Sequence, residues 1–174
     1  SGLVLLLVLL LCPTVHGQAS RTVSRTFDLA SGGTVTLESY KGRIDVQTWD
    51  REQARVEVQI ESDEQSAVEQ TNIRFEFEND RLDIETDYDE LEDGQKLFGL
   101  FRLGSIDRPS TNYTLTVPRT SNLTVDTYSA ATTVTGLNGD LRVDAYSAAL
   151  TVNRLTGTLR ADTYSGDVTV TGLD

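Results

Sequence analysis

The sequence predicts an all-β chain: a single-stranded, parallel-type β-solenoid with coils of about 18 residues, preceded by N-terminal strands and a hairpin insertion. Three observations predict it. First, similar segments begin at Ser121, Asp140 and Thr158, and their Leu123, Leu141 and Leu159 fall in register. So do Asp126, Asp144 and Asp162, then Tyr128, Tyr146 and Tyr164, then Val134, Val152 and Val170. Second, the N-terminal half alternates polar and apolar residues, the period of a half-buried strand. Third, a fixed short period of β-type residues is the mark of stacked repeats rather than of a sheet folded back on itself.

The elements follow in chain order. Gly2 to Leu11 is almost wholly Leu and Val, too short for a bilayer span of about 20 residues and matching the apolar core of a secretory signal. We read residues 1–19 as a signal peptide truncated at its start, with small residues for cleavage around Gly17. No stable membrane span is expected, and export places the protein in the periplasm, on the cell surface or outside the cell. Cys12 is the sole cysteine, and Leu11 before it makes a poor lipoprotein signal.

Residues 20–118 form an N-terminal β region. Thr22–Phe27 and Thr34–Leu37 alternate around a turn at Ser31-Gly32-Gly33. Leu37–Trp49 reads as a diverged coil, with Leu37 matching Val125, Tyr40 matching Tyr128 and Val46 matching Val134. Ala54–Glu61 alternates cleanly. Ser62–Gln70 suits one or two helical turns capped by Ser62 or Asp63. Ile73, Phe75 and Phe77, then Leu82 and Ile84 beyond Asn79-Asp80, predict a hairpin. An acidic run from Asp83 to Asp93 leads into an insertion with Leu97, Phe98, Leu100, Phe101 and Leu103, placed either as a cap on the stack or as a partner surface. Tyr113–Pro118 is a strand entering the repeats.

Residues 119–174 are the regular repeats, and the absence of a polar cap at Asp174 leads us to expect more coils or an anchor beyond it. Stacking sets equivalent residues about 4.8 Å apart. The Leu and Val ladders then point inward, each buried side chain contributing roughly 1.5–3 kcal/mol. Gly136 and Gly172 stand where corners need positive φ. Neighbouring carboxylates of the Asp126, Asp144 and Asp162 ladder repel, so we expect them to accept backbone N–H groups at a corner. Bound calcium is the alternative, against which stands the lack of a Gly-Gly-x-Gly-x-Asp repeat. Tyr40, Tyr128, Tyr146 and Tyr164 make an aromatic ladder along one edge. Stacking explains them structurally; if exposed, they form a contact face with the aspartates.

Charge narrows the function. Fifteen basic and 27 acidic residues give a net charge of −12, which repels nucleic acid and anionic lipid. Cleavage after Gly17 would leave no cysteine and no histidine, hence no thiol chemistry and no imidazole base.

The order of elements carries a resemblance. An exported N-terminus is followed by a strand ending in Trp49-Asp50, an alternating strand, a polar linker, a hairpin and a strand ending in Val117-Pro118. Repeats of the form L-x-V-x-x-x-S-[AG]-x-[TLV]-x-V-x-x-L come last. Over residues 21–174 this resembles the bacterial putative-adhesin domain family, a domain of unknown function in envelope proteins. Here Tyr128, Tyr146 and Tyr164 replace the small residue that usually precedes its Ser-Gly. The resemblance brings no catalytic residues and no cofactor.

The first functional reading is therefore a non-enzymatic, adhesin-like or scaffold domain of the cell envelope. Its hypothetical face is Tyr128, Tyr146, Tyr164, Asp126, Asp144 and Asp162, with an envelope polysaccharide or surface protein as partner. A second is an envelope-stress sensor that takes cationic peptides on its acidic side. A third is a polysaccharide-acting β-helix enzyme using the aspartates as a carboxylate pair, although identical repeated carboxylates lack the contrasting environments that acid–base catalysis needs.

Overall fold

We analysed a computed structural model of the chain, which describes residues 18–91 and 107–173. Residues 1–17 of the signal segment, with Cys12, and the apolar cluster Leu97–Leu103 lie outside these residues, while Ala19 already opens the first strand. The chain is all-β: among the described residues, eleven strands join one mixed sheet, and a short helix follows the third.

The strands are β1 (Ala19–Phe27), β2 (Thr34–Trp49), β3 (Ala54–Ser62), β4 (Asn72–Glu78), β5 (Arg81–Asp87) and β6 (Ser110–Pro118). The repeats supply β7 (Asn122–Thr135), β8 (Leu141–Ser147), β9 (Leu150–Leu155), β10 (Leu159–Ser165) and β11 (Val168–Leu173). The helix α1 (Gln65–Gln70) starts at Glu64, without a side-chain cap. Ser62 instead accepts the Glu64 N–H at 3.2 Å. Its carbonyl end is closed by Thr71, whose hydroxyl donates to Ala67 O at 2.8 Å.

The whole chain is not the parallel solenoid that the repeat predicts. β1 and β6 each pair antiparallel with β3, while the antiparallel pair of β4 and β5 is the hairpin that the sequence predicts. The 18-residue period holds only from β7 onward, and alternation alone does not set the direction of a partner strand. Where the repeats meet, however, equivalent residues do face one another in parallel: Leu123, Leu141 and Leu159, and Val134, Val152 and Val170. The long β2 joins this register, Leu37 opposite Val125 and Val46 opposite Val134.

β2 changes partner along its length. Its first half, Thr34–Glu38, runs parallel to β5, while Gly42–Trp49 runs parallel to β6. Inward residues of both halves, such as Leu37 and Val46, join one buried cluster with Leu82, Ile84 and Leu115. Tyr113 is buried there too, and its hydroxyl meets that of Thr86 at 2.7 Å. At the hairpin tip, Asn79 and Asp80 both take positive φ, 51° and 57°, as a two-residue type I′ turn requires. Among the described residues, no helix is long and apolar enough to cross a membrane.

Candidate binding groove

The outward residues of the parallel strands form straight columns, because in-register pairing repeats each side chain at the strand spacing. One column is aromatic. Tyr40, Tyr128, Tyr146 and Tyr164 stack with ring centroids 4.8, 4.8 and 5.0 Å apart and planes within 8° of parallel. Exposure climbs along the stack, from 45% at Tyr128 to 48% at Tyr146 and 80% at Tyr164. Each inner ring has its faces covered by its neighbours, so the stack offers ring edges and hydroxyls rather than flat platforms. At the other end, the Arg108 guanidinium lies 4.4 Å from the Tyr40 ring centroid.

The second column is acidic and longer than the repeat. Glu85 faces Glu38, Glu38 faces Asp126, Asp126 faces Asp144, and Asp144 faces Asp162. The three sequence-identified aspartates thus share one row with two glutamates. They do not sit at corners accepting backbone N–H groups; they lie mid-strand, and arginines two residues earlier on the same face hold two of them. Arg142 Nε donates to Asp144 at 2.8 Å and Arg160 Nε to Asp162 at 3.1 Å. Arg74 likewise donates to Glu85 at 2.8 Å. Residues i and i+2 of a strand point to one side, so the Arg-x-Asp spacing was the signal for these pairs. Among the described residues, Glu38 and Asp126 form no ion pair.

The Asp126 carboxyl consequently titrates above its ordinary value of 3.8, chiefly because burial penalises its charge and next because Asp144 adjoins it. A carboxyl with a raised folded-state pKa adds stability in its protonated form. That contribution is present below the ordinary value and is lost as pH rises through the raised one. Asp126→Asn is therefore expected to be more stable than the parent at pH 7, by about 0.5–1 kcal/mol. The difference should vanish near pH 3, where both side chains are neutral. Thermal unfolding of the two proteins at both pH values checks this.

Together the columns line an open groove of about 740 Å³, with Thr86 and Tyr88 at the end nearest β5. Burial pushes the Tyr88 hydroxyl up to about 12, so it stays a neutral hydrogen-bond donor. Among the described residues, no group of three or more His, Cys, Asp or Glu side chains could hold a metal ion. The groove can accept hydrogen bonds at carboxylates, donate them from phenols, and attract cations.

Fold and groove define an all-β chain that displays a repeated polar–aromatic face. No family model and no curated protein match it. Several solved structures do, and they include proteins described as putative adhesins or cell adhesion proteins. A putative cell adhesion protein from Clostridium sporogenes aligns over 87% of this chain and 98% of its own, with a TM-score of 0.55 and 6% identity. A putative lipid binding protein from Parabacteroides distasonis aligns over 87% of this chain and 74% of its own, with a TM-score of 0.33 and 10% identity. A putative adhesin from the same organism aligns over 86% and 70%, with a TM-score of 0.28 and 14% identity. The first shows a shared fold; the other two are too distant to carry an argument.

Proposed function

We propose that this chain is an exported, non-enzymatic, adhesin-like domain that holds a surface partner along the tyrosine–carboxylate groove. The partner class is an envelope polysaccharide or a surface protein. One observation carries the reading: four stacked tyrosines and five in-register carboxylates line a single open groove. An unpaired acidic pair at Glu38 and Asp126 works against stability, and residues kept against stability are where function is sought. A ladder that repeats each strand spacing suits an extended, repetitive partner. Resemblance to the putative-adhesin family, together with the shared fold of a putative cell adhesion protein, supports the surface location.

The reading is tested by co-sedimentation with isolated cell envelopes and polysaccharides. The parent is expected to bind, and the triple variant Tyr128→Ser, Tyr146→Ser, Tyr164→Ser to lose binding while retaining its circular dichroism spectrum. The corresponding triple Phe variant keeps the stack and removes only the hydroxyls, so it separates a stability effect from lost contacts. Equal binding by the parent and both variants would remove the groove from the account.

The cationic-peptide reading draws on the acidic run, but Asp83, Glu85 and Asp87 are already engaged by Arg81 and Arg74. The hydrolytic reading draws on Asp126 and Asp144, whose environments differ. Release of reducing ends from a polysaccharide, abolished by Asp144→Asn, would favour it over simple binding.

A further inference from the structure

A second groove, sharing no residue with the first, encloses about 510 Å³. Arg119, Arg154, Thr48, Thr135, Thr156 and Asn138 line it, and no carboxylate does. In a chain with 27 acidic and 15 basic residues, two guanidinium groups converging among hydroxyls and amides are an electrostatic exception.

Arg154 stands out further by its backbone. It takes φ +57°, while the residues 18 positions before and after it are Gly136 at +78° and Gly172 at +68°. The corner therefore repeats a left-handed conformation that two copies satisfy with glycine and one with arginine. Side-chain-bearing residues persist in that region where the surroundings impose it, and such positions cluster at ligand sites. Among the described residues, Arg154 forms no ion pair. Arg119 uses Nε and Nη2 on Asp50, at 3.0 and 3.2 Å, which leaves Nη1 outside that pair. The walls are held in place, since Thr48 donates to Gly136 O at 2.8 Å and Gly136 N donates to Asn153 O at 2.9 Å.

We propose that this groove is a binding site for an acidic saccharide, in which Arg154, with Arg119 beside it, takes a carboxylate or sulfate while Thr and Asn side chains meet sugar hydroxyls. Guanidinium groups match planar or tetrahedral oxyanions through paired, charge-assisted hydrogen bonds. Hydroxyl and amide side chains, which both donate and accept, match a sugar's hydroxyls. The site is independent of the tyrosine groove, whose acidic column would repel such a ligand.

The test is calorimetric titration of the full chain at 150 mM salt with dextran sulfate and with oligogalacturonate, neutral dextran serving as the control. Arg154→Gly is the informative variant, because glycine already occupies the equivalent corners and the fold is retained. Arg55→Gln, on β3, removes the same charge elsewhere. We expect at least one anionic probe to bind, neutral dextran not to bind, and Arg154→Gly to weaken binding by about tenfold or more. Arg55→Gln and the triple Tyr→Ser variant should bind as the parent does. A preference for the sulfated or the carboxylated probe identifies the group recognised. The proposal is overturned if neither anionic probe binds, if Arg154→Gly binds as the parent does, or if Arg55→Gln weakens binding equally, which would mean nonspecific charge attraction.

Discussion

Gly42→Ala lowers the thermal midpoint by about 10–15 °C, corresponding to about 3–5 kcal/mol. Gly42 is the first residue of β2 to pair with β6, after its pairing with β5 has ended at Glu38. Its φ is +129°, and a Cβ built there would lie 2.2 Å from Thr111 O and 2.8 Å from the Thr111 carbonyl carbon. Both atoms are backbone, so no rotamer change makes room. Thr111 cannot withdraw easily, because its hydroxyl is tied to Lys41 O at 3.2 Å and to the Ser39 hydroxyl at 3.0 Å. Backbone strain and overpacking therefore add. Gly32→Ala separates the two effects: Gly32 has φ +81° but nothing within 4 Å of the new Cβ, so strain alone remains, about 1 kcal/mol. Equal midpoints for the two variants would contradict the close contact at Gly42.

Leu37→Ala is expected to cost about 3–4 kcal/mol, within the range for a fully buried leucine. Leu37 has no exposed surface and is flanked in register by Ile84 on one strand and Val125 on another. The hydrogen-bonded strands on both sides fix the backbone, so the cavity cannot collapse. Leu173→Ala is the contrast, since Leu173 is 55% exposed and should change stability by less than about 1 kcal/mol. Denaturant unfolding of both variants measures the difference.

Much of this arrangement was legible in the sequence. The 18-residue period gave the parallel columns from β7 to β11, and the match of Leu37 and Tyr40 to Val125 and Tyr128 carried that register back into β2. The hairpin was readable from Asn79-Asp80 between two alternating runs. What alternation does not encode is the partner. Nothing in Arg81–Glu85 says that it lies parallel to Thr34–Glu38, so the extension of the acidic row to Glu38 and Glu85 was hidden. For the same reason the antiparallel pairing of β3 with β1 and β6 was not placed, and a parallel-type solenoid preceded by N-terminal strands and a hairpin was the expectation.

Other features were present in the repeat but overlooked. Arg142 and Arg160 stand two residues before Asp144 and Asp162 and had to share their face. The alternation of Gly136, Arg154 and Gly172 marked an arginine at a glycine corner. Asn122 and Asp140 form a polar ladder of their own: Asn122 accepts the Asp140 N–H at 3.1 Å, and Asp140 accepts the Thr158 N–H at 3.0 Å. These side chains, rather than the tyrosine-row aspartates, satisfy backbone donors between successive repeats. A carboxylate at a repeat boundary can play that part; one in mid-strand has its N–H neighbours already paired.

The central claim is that the tyrosine and carboxylate columns together form the recognition face. Its most direct measurement is NMR chemical-shift mapping of residues 18–174 during titration with solubilised envelope polymer. We expect shifts confined to residues 38–40, 85–88, 126–128, 144–146 and 162–164, including the tyrosine ring signals. Binding that leaves those signals unmoved, with shifts elsewhere on the sheet, would contradict the account.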